Sequence, residues 1–150
     1  MLERFTPLND EALVFRLATP AFVPEGARLP LATWLRPTDA DVAEGAARGR
    51  PAGLSSWDAE RTTVAQAKAF LSSAVNAIAY SMRCGAVRRV GVQFKRNLDV
   101  VADPRDDDQR PGWEGHCLIE GLERPKGSTK KDQLDLSVGL LDACARLEDA

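Results

Sequence analysis

The sequence predicts an α+β fold, a mixed or antiparallel sheet of four to five strands packed by two main helices over about 62–84 and 129–147. Three observations lead there. The chain has 150 residues, 44% hydrophobic and 28% charged, which suits one soluble domain. Two long segments repeat apolar residues at steps of three and four, the helical period. Around them lie short apolar runs bounded by Pro, Gly and Asp, without the regular strand–helix beat of a parallel α/β sheet. One domain is therefore expected over 1–150, with a proline-rich irregular segment at 18–37 and an acidic loop at 102–115.

The elements follow in order. Glu11 through Leu17 reads as a first strand, ended by Thr19 and Pro20. Pro20, Pro24, Pro30 and Pro37 fix φ and remove donors, so 18–37 is an irregular connection. Thr38 is the expected N-cap of a short helix over 38–48, with Asp39 and Asp41 where the helix dipole favours acids. The run from Gly49 to Gly53 breaks it, and Leu54 to Trp57 reads as a short strand.

Thr63 and Gln66 form a capping box, and Val64, Ala67, Leu71, Ala74, Val75, Ile78 and Met82 fall on one helical stripe. Lys68 is the one charge between Val64 and Met82, so 62–84 is expected to be the central core helix, with Gly85 as its stop. Val90, Val92 and Phe94 alternate with polar or small residues as in a half-buried strand, continued by Leu98 to Val101 after a turn at Asn97. Asp103, Pro104, Asp106, Asp107, Asp108, Pro111 and Gly112 give 102–115 a loop composition. His116 to Glu120 is another strand, closed by Gly121. The last helix starts at a Thr129–Asp132 cap and is expected to bury Leu134, Val138, Leu141 and Ala145, with Leu140, Cys144 and Leu147 flanking.

Twenty basic against 22 acidic side chains leave a net charge of −2, so no global field draws the chain to nucleic acid or anionic lipid. No stretch approaches the roughly 20 apolar residues of a bilayer span, and the first residues lack the basic-then-apolar order of a secretory leader. Cys84, Cys117 and Cys144 are odd in number and widely spaced, which points to reduced, structural thiols and a cytoplasmic chain. With one histidine and no grouped cysteines, neither a metal nor any other cofactor is expected. The aspartates at 99, 103 and 106–108 lack the spacing of a calcium loop and read as solvated loop acids.

His116 and Cys117 point to opposite faces of a strand and cannot activate one another. Charge is segregated in two acid-free basic runs, 83–96 with Arg83, Arg88, Arg89, Lys95 and Arg96, and 124–131 with Arg124, Lys126, Lys130 and Lys131. Brought to one face, they would bind phosphates or an acidic partner, helped by the amides of Ser128 and Thr129 at a helix start. The aromatic interleaving of single-strand binders is weak, since Phe94 reads as core and only Trp113 as free. Trp34 and Trp57 are expected at the core edge.

Several short segments, in order, resemble a set of short bacterial proteins with no assigned activity. They are Phe15-Arg16-Leu17, Leu35-Arg36-Pro37, Gly53 to Trp57, Val100 to Pro104, Gly115 to Gly121, and a basic stretch with Lys130 and Lys131. The resemblance implies a single bacterial domain and singles out Arg36, Ser55, Asp103 and His116, without implying a reaction. The chain departs from that pattern at Trp57 and in the acidic segment 105–114. A second similarity is to ADP-ribosyltransferase-like domains. It implies that Arg16, Ser55 or Ser56, and Glu120 or Glu123 fill the family's arginine, hydroxyl and acid places, the acid and the arginine holding the nicotinamide ribose and pyrophosphate while the bond to nicotinamide breaks.

The leading expectation is a non-catalytic interaction or accessory module of a bacterial multi-component system. It would dock a larger protein through the face of Arg88, Arg89, Lys130 and Lys131, or through 18–37. A small enzyme is the alternative, and it requires Arg16, Ser55, Asp103 and His116 to converge in one pocket. Phosphate or nucleic-acid binding through the basic runs is the third reading, and predicts an affinity that falls steeply with salt.

Overall fold

Six strands, among the described residues, pair in one wholly antiparallel sheet, so the α+β class holds and the strand number exceeds the four to five expected. The computed structural model describes residues 2–71, 76–106 and 109–147; Ala74, Val75, Asp107 and Asp108, named above, lie outside the described residues. The strands are β1 (Leu13–Ala18), β2 (Gly53–Asp58), β3 (Ile78–Arg83), β4 (Asp99–Ala102), β5 (His116–Glu120) and β6 (Ala145–Arg146), in the spatial order β4-β5-β2-β1-β3-β6. The helices are α1 (Asp39–Ala47), α2 (Val64–Phe70), α3 (Cys84–Gln93) and α4 (Lys130–Asp142). None of them is long and apolar enough to cross a membrane.

Both faces of the sheet are covered. On one, Val14, Leu54, Tyr80, Met82, Val100 and Ile119 pack against Val87 of α3 and Leu136, Leu140 and Leu141 of α4. On the other, Phe15, Leu17, Trp57 and Ala79 pack against Val64, Ala67 and Phe70 of α2. This double cover explains the first correction. The expected helix over 62–84 is a short helix, α2, followed by strand β3. Ala79, Tyr80, Ser81 and Met82 are all buried, and a strand buried on both faces loses its polar–apolar alternation and reads as a continuous apolar run.

The expected strand at 90–94 belongs instead to α3 and its C-terminal cap. Val87, Val90 and Phe94 turn inward at helical spacing, whereas Val92 is 78% exposed, so the alternation there is coincidental. Gly85 is no stop: it lies in the first turn of α3 against Asp10, where a side chain would crowd Asp10 Cβ and its carbonyl. The last helix ends at Asp142, and Ala145, expected in its buried stripe, is an exposed residue of β6. The stripe is rotated: Leu136 and Leu140 are buried, while Leu134 and Val138 are 51% and 44% exposed.

Capping boxes open three helices, at Thr38 with Asp41, Thr63 with Gln66 and Thr129 with Asp132. The 18–37 connection contains two short 3-10 turns, Pro20–Phe22 and Ala32–Leu35, and is anchored by Trp34 and Leu35, both fully in the core. Trp57 is equally buried, so neither tryptophan lies at the core edge. β1 pairs with β2 at Val14–Asp58 and Phe15–Trp57. At the next residue Arg16 reaches across, donating to Ser55 O at 2.9 Å and Trp34 O at 3.0 Å, while Trp34 Nε1 donates to Leu17 O at 2.9 Å. Along the outer side of β4 runs the N-terminal segment: Leu8 N donates to Val100 O, Ala102 N to Thr6 O, and Pro7 bridges Val101.

The rotated stripe of α4 is directly testable. Leu140→Ala should cost about 2–5 kcal/mol by denaturant unfolding, because it empties a closed core site. Leu134→Ala should cost less than about 0.5 kcal/mol, as is usual for an exposed position. Equal losses would refute the orientation of this helix.

Candidate functional site

The register of β5 on β2 sets the site. Trp57 lies opposite His116 and Ser55 opposite Leu118, so Ser55 and His116 are diagonal neighbours on the face that α2 covers. Asp103 follows β4, and its N–H donates to His116 O at 2.9 Å, which holds it beside the ring. His116 Nδ1 then lies 3.0 Å from Asp103 O and 3.2 Å from Asp103 Oδ2, and Nε2 lies 3.1 Å from Ser55 Oγ. Both neighbours of Nδ1 are acceptors. In the neutral ring, therefore, Nδ1 carries the proton, and the Nε2 lone pair faces the Ser55 hydroxyl, which donates to it.

The ring is held as well as bonded. Phe70 stacks on it at 5.6 Å with planes 16° apart, and Trp57 meets it edge-on at 5.6 Å. His116 and Asp103 are buried, whereas Ser55 is half-buried and is the member nearest to solvent. Asp103 accepts from Arg4 Nε at 2.6 Å, and Arg48 Nη1 stands 3.9 Å from the same oxygen. Burial alone would raise the Asp103 pKa; the hydrogen bonds and charges of His116 and Arg4 outweigh it and bring the carboxyl down to about 2. Asp103 is thus no solvated loop acid. Asp99 is paired too, accepting from Arg88 Nη2 at 2.8 Å.

Next to this relay, Phe5 is ringed by cations, with the guanidinium carbons of Arg4, Arg48 and Arg50 at 5.0, 5.7 and 4.3 Å from its centroid. Arg50 holds Glu120 by two hydrogen bonds, of 2.8 and 2.7 Å. Glu120 is therefore neutralised within the fold.

Of the residues singled out in the sequence, Ser55, Asp103 and His116 come together and the others do not. Arg16 is on the opposite sheet face, since its neighbour Phe15 shares the face of Trp57. Burial lowers its pKa to about 10, an effect Asp41 partly offsets. The set Arg16, Ser55 and Glu120 is thus divided by the sheet. Ser56 points the other way from Ser55 and is fully buried, donating to Leu54 O. Glu123 accepts from Ala52 N at 3.0 Å. Arg36 is exposed, beside a groove that also includes Lys130.

The basic runs are largely committed internally. Arg88 binds Asp10, Asp99 and Leu8 O, and Arg96 donates to Gln133 Oε1 at 3.0 Å and Gly121 O at 2.8 Å, on either side of the second run. Lys131 pairs with Asp135 at 2.6 Å, and Arg89 is exposed. Trp113, expected to be free, packs against Trp57 and its neighbours. Burial pushes the thiols up, Cys84 to about 11, Cys144 to about 12 and Cys117 well above its usual value, so all three stay protonated near neutrality. Among the described residues, no three His, Cys, Asp or Glu side chains are grouped so as to hold a metal.

The sequence did not point to Arg4, Phe5, Arg48, Arg50 or Phe70. Their contacts with the site arise when the sheet is assembled, across 70 positions for Arg50–Glu120 and 99 for Arg4–Asp103, and leave no local spacing to read.

The depressed Asp103 pKa makes stability depend on acid. The folded value, about 2, lies below the unfolded 3.8, so the contribution is present above about pH 4 and is lost as pH falls toward 2. That linkage amounts to about 2 kcal/mol. Urea unfolding between pH 6 and pH 2 should show this loss in the wild type and a loss smaller by that amount in Asp103→Asn; parallel curves would refute it. Compared with known proteins, the chain matches no family model, no curated protein and no solved structure.

Proposed function

We propose that the chain is a small hydrolytic enzyme of the acyl-transfer type, with Ser55 as nucleophile, His116 as general base and Asp103 as the group that orients and stabilises the imidazolium. The observation that carries this reading is the continuous hydrogen-bonded chain from Ser55 Oγ through both ring nitrogens of His116 to Asp103. Of the four residues expected to converge, Arg16 stands on the opposite sheet face, so the enzyme proposed here is built on Ser55, Asp103 and His116 alone. That Cys84, Cys117 and Cys144 are all free thiols supports a cytoplasmic setting.

The chemistry follows from the tautomer. Ser55 Oγ transfers its proton to His116 Nε2 as it attacks the carbonyl carbon of an ester or amide. His116 then returns that proton to the leaving group, and an acyl-Ser55 forms. A water molecule, deprotonated by His116, attacks the acyl carbon and releases the acid, and the proton passes back to Ser55. Throughout, Nδ1–H stays bonded to Asp103, and stacking by Phe70 keeps the ring from turning.

A fluorophosphonate probe followed by intact-mass spectrometry tests the assignment. The wild type should gain one covalent adduct, and Ser55→Ala should gain none. Hydrolysis of p-nitrophenyl acetate should fall at least about 10³-fold in Ser55→Ala and in His116→Gln. Asp103→Asn should lose less than the roughly 10⁴-fold known where a carboxylate alone sets the tautomer, because Asp103 O also accepts from Nδ1. A wild-type chain that takes no adduct overturns the catalytic reading. What then stands is docking of a larger protein through the exposed Arg36, Arg89 and Lys130.

A further inference from the structure

A second site lies away from the relay. A groove of about 410 Å³ opens between the start of α4, the segment leading into α1, and the turn after β5. That volume falls within the range of small-molecule pockets. Its exposed apolar surface comes from Pro37 and Val42, above a fully buried Leu122; Val42 is 39% exposed, an uncovered β-branched side chain at the groove.

Three cations line it, and each keeps its charge available. Arg36 and Lys130 are exposed, and neither side chain makes an ion pair or hydrogen bond with the described residues. Arg124 donates Nε and Nη2 to Ser128 O, a neutral carbonyl, so its charge is not cancelled. The acid of the lining is Glu123; its Oε1 accepts from the neutral amide of Ala52, so it keeps its charge too, and the groove sets three cations against one anion. Gln133 forms a fixed part of the wall, its amide bonded at one end to Arg96 and at the other to Leu122 O at 2.7 Å. Lys130 is also the first residue of the 13-residue α4, whose dipole adds positive potential at that end.

A positive rim over an apolar floor fits a particular chemistry. A bare inorganic anion would leave Val42 and Pro37 uncovered, and an uncharged apolar molecule would leave Arg36 and Lys130 unpaired. We infer that this groove binds a small organic oxyanion, a phosphate or carboxylate head carried on an apolar body, with the head between Arg36 and Lys130 and the body over Pro37 and Val42. The inference is independent of the Ser55 relay.

Titration of the full chain with phenyl phosphate, benzoate and inorganic phosphate, followed by calorimetry, tests it. Phenyl phosphate or benzoate should saturate the protein, and added salt should weaken binding. The better of the two identifies the preferred head group. Arg36→Ala combined with Lys130→Ala should weaken binding at least about tenfold, since each charge-assisted contact is worth more than a decade in affinity. Both side chains are exposed and unpartnered among the described residues, so the double variant should melt at the wild-type temperature. Arg83→Ala should leave the affinity unchanged. Three results would overturn the inference: no saturation up to about 10 mM (an affinity of only ~3 kcal/mol), inorganic phosphate binding as tightly as phenyl phosphate, or an acidic hexapeptide binding while the small anions do not.

Discussion

The imidazole of His116 ties together parts of the chain that meet only when the sheet is complete. Its Nδ1 reaches Asp103 beyond β4, its Nε2 reaches Ser55 on β2, and its faces contact Phe70 of α2 and Trp57. A buried imidazole with an unsatisfied nitrogen would cost roughly 1–3 kcal/mol, so each partner must be in place for the others to be tolerated. Asp103 in turn needs Arg4, because a buried carboxylate is stable only when it is paired. The N-terminal segment is therefore part of the same assembly. Glu120, four residues beyond His116 on the same face, is handled in parallel by Arg50. The polar groups of this face are balanced by cations that arrive from outside the sheet.

The opposite face solves another problem. Past Phe15–Trp57, the β1–β2 interval is filled by the guanidinium of Arg16 and the indole of Trp34, which take the carbonyls of Ser55, Trp34 and Leu17. A charged side chain thus does the work of ladder bonds, and it stays charged near neutrality because its pKa falls only to about 10. Since Arg16 also holds Ser55 O, the backbone of the proposed nucleophile is fixed from one face and its hydroxyl from the other.

How much of this could be read in advance depended on the range of the determining contacts. The helix starts at Thr38, Thr63 and Thr129 were readable because a cap is made within four residues. The end of α2 was not, because β3 is buried on both sides and its Ile78 and Met82 fit a helical stripe as well as a strand. Likewise, Val90 and Phe94 satisfied a period of two by accident while packing at helical spacing. Ser55, Asp103 and His116 were each picked out as polar positions, but nothing local said that they touch. Their union depends on the β5 register against β2 and β4, where a shift by one residue would send His116 to the other face.

The segment around Pro7 also bears on how this protein meets others. It lies along the outer side of β4 and engages Val100 and Ala102, while Pro7 itself offers no N–H. An uncovered strand invites a neighbouring chain to extend the sheet by backbone pairing. Here that position is already occupied by the protein's own residues and is fastened at Asp103 by Arg4. Recognition on this flank therefore has to proceed through side chains, whose identity confers selectivity, and not through main-chain addition, which would accept almost any extended peptide.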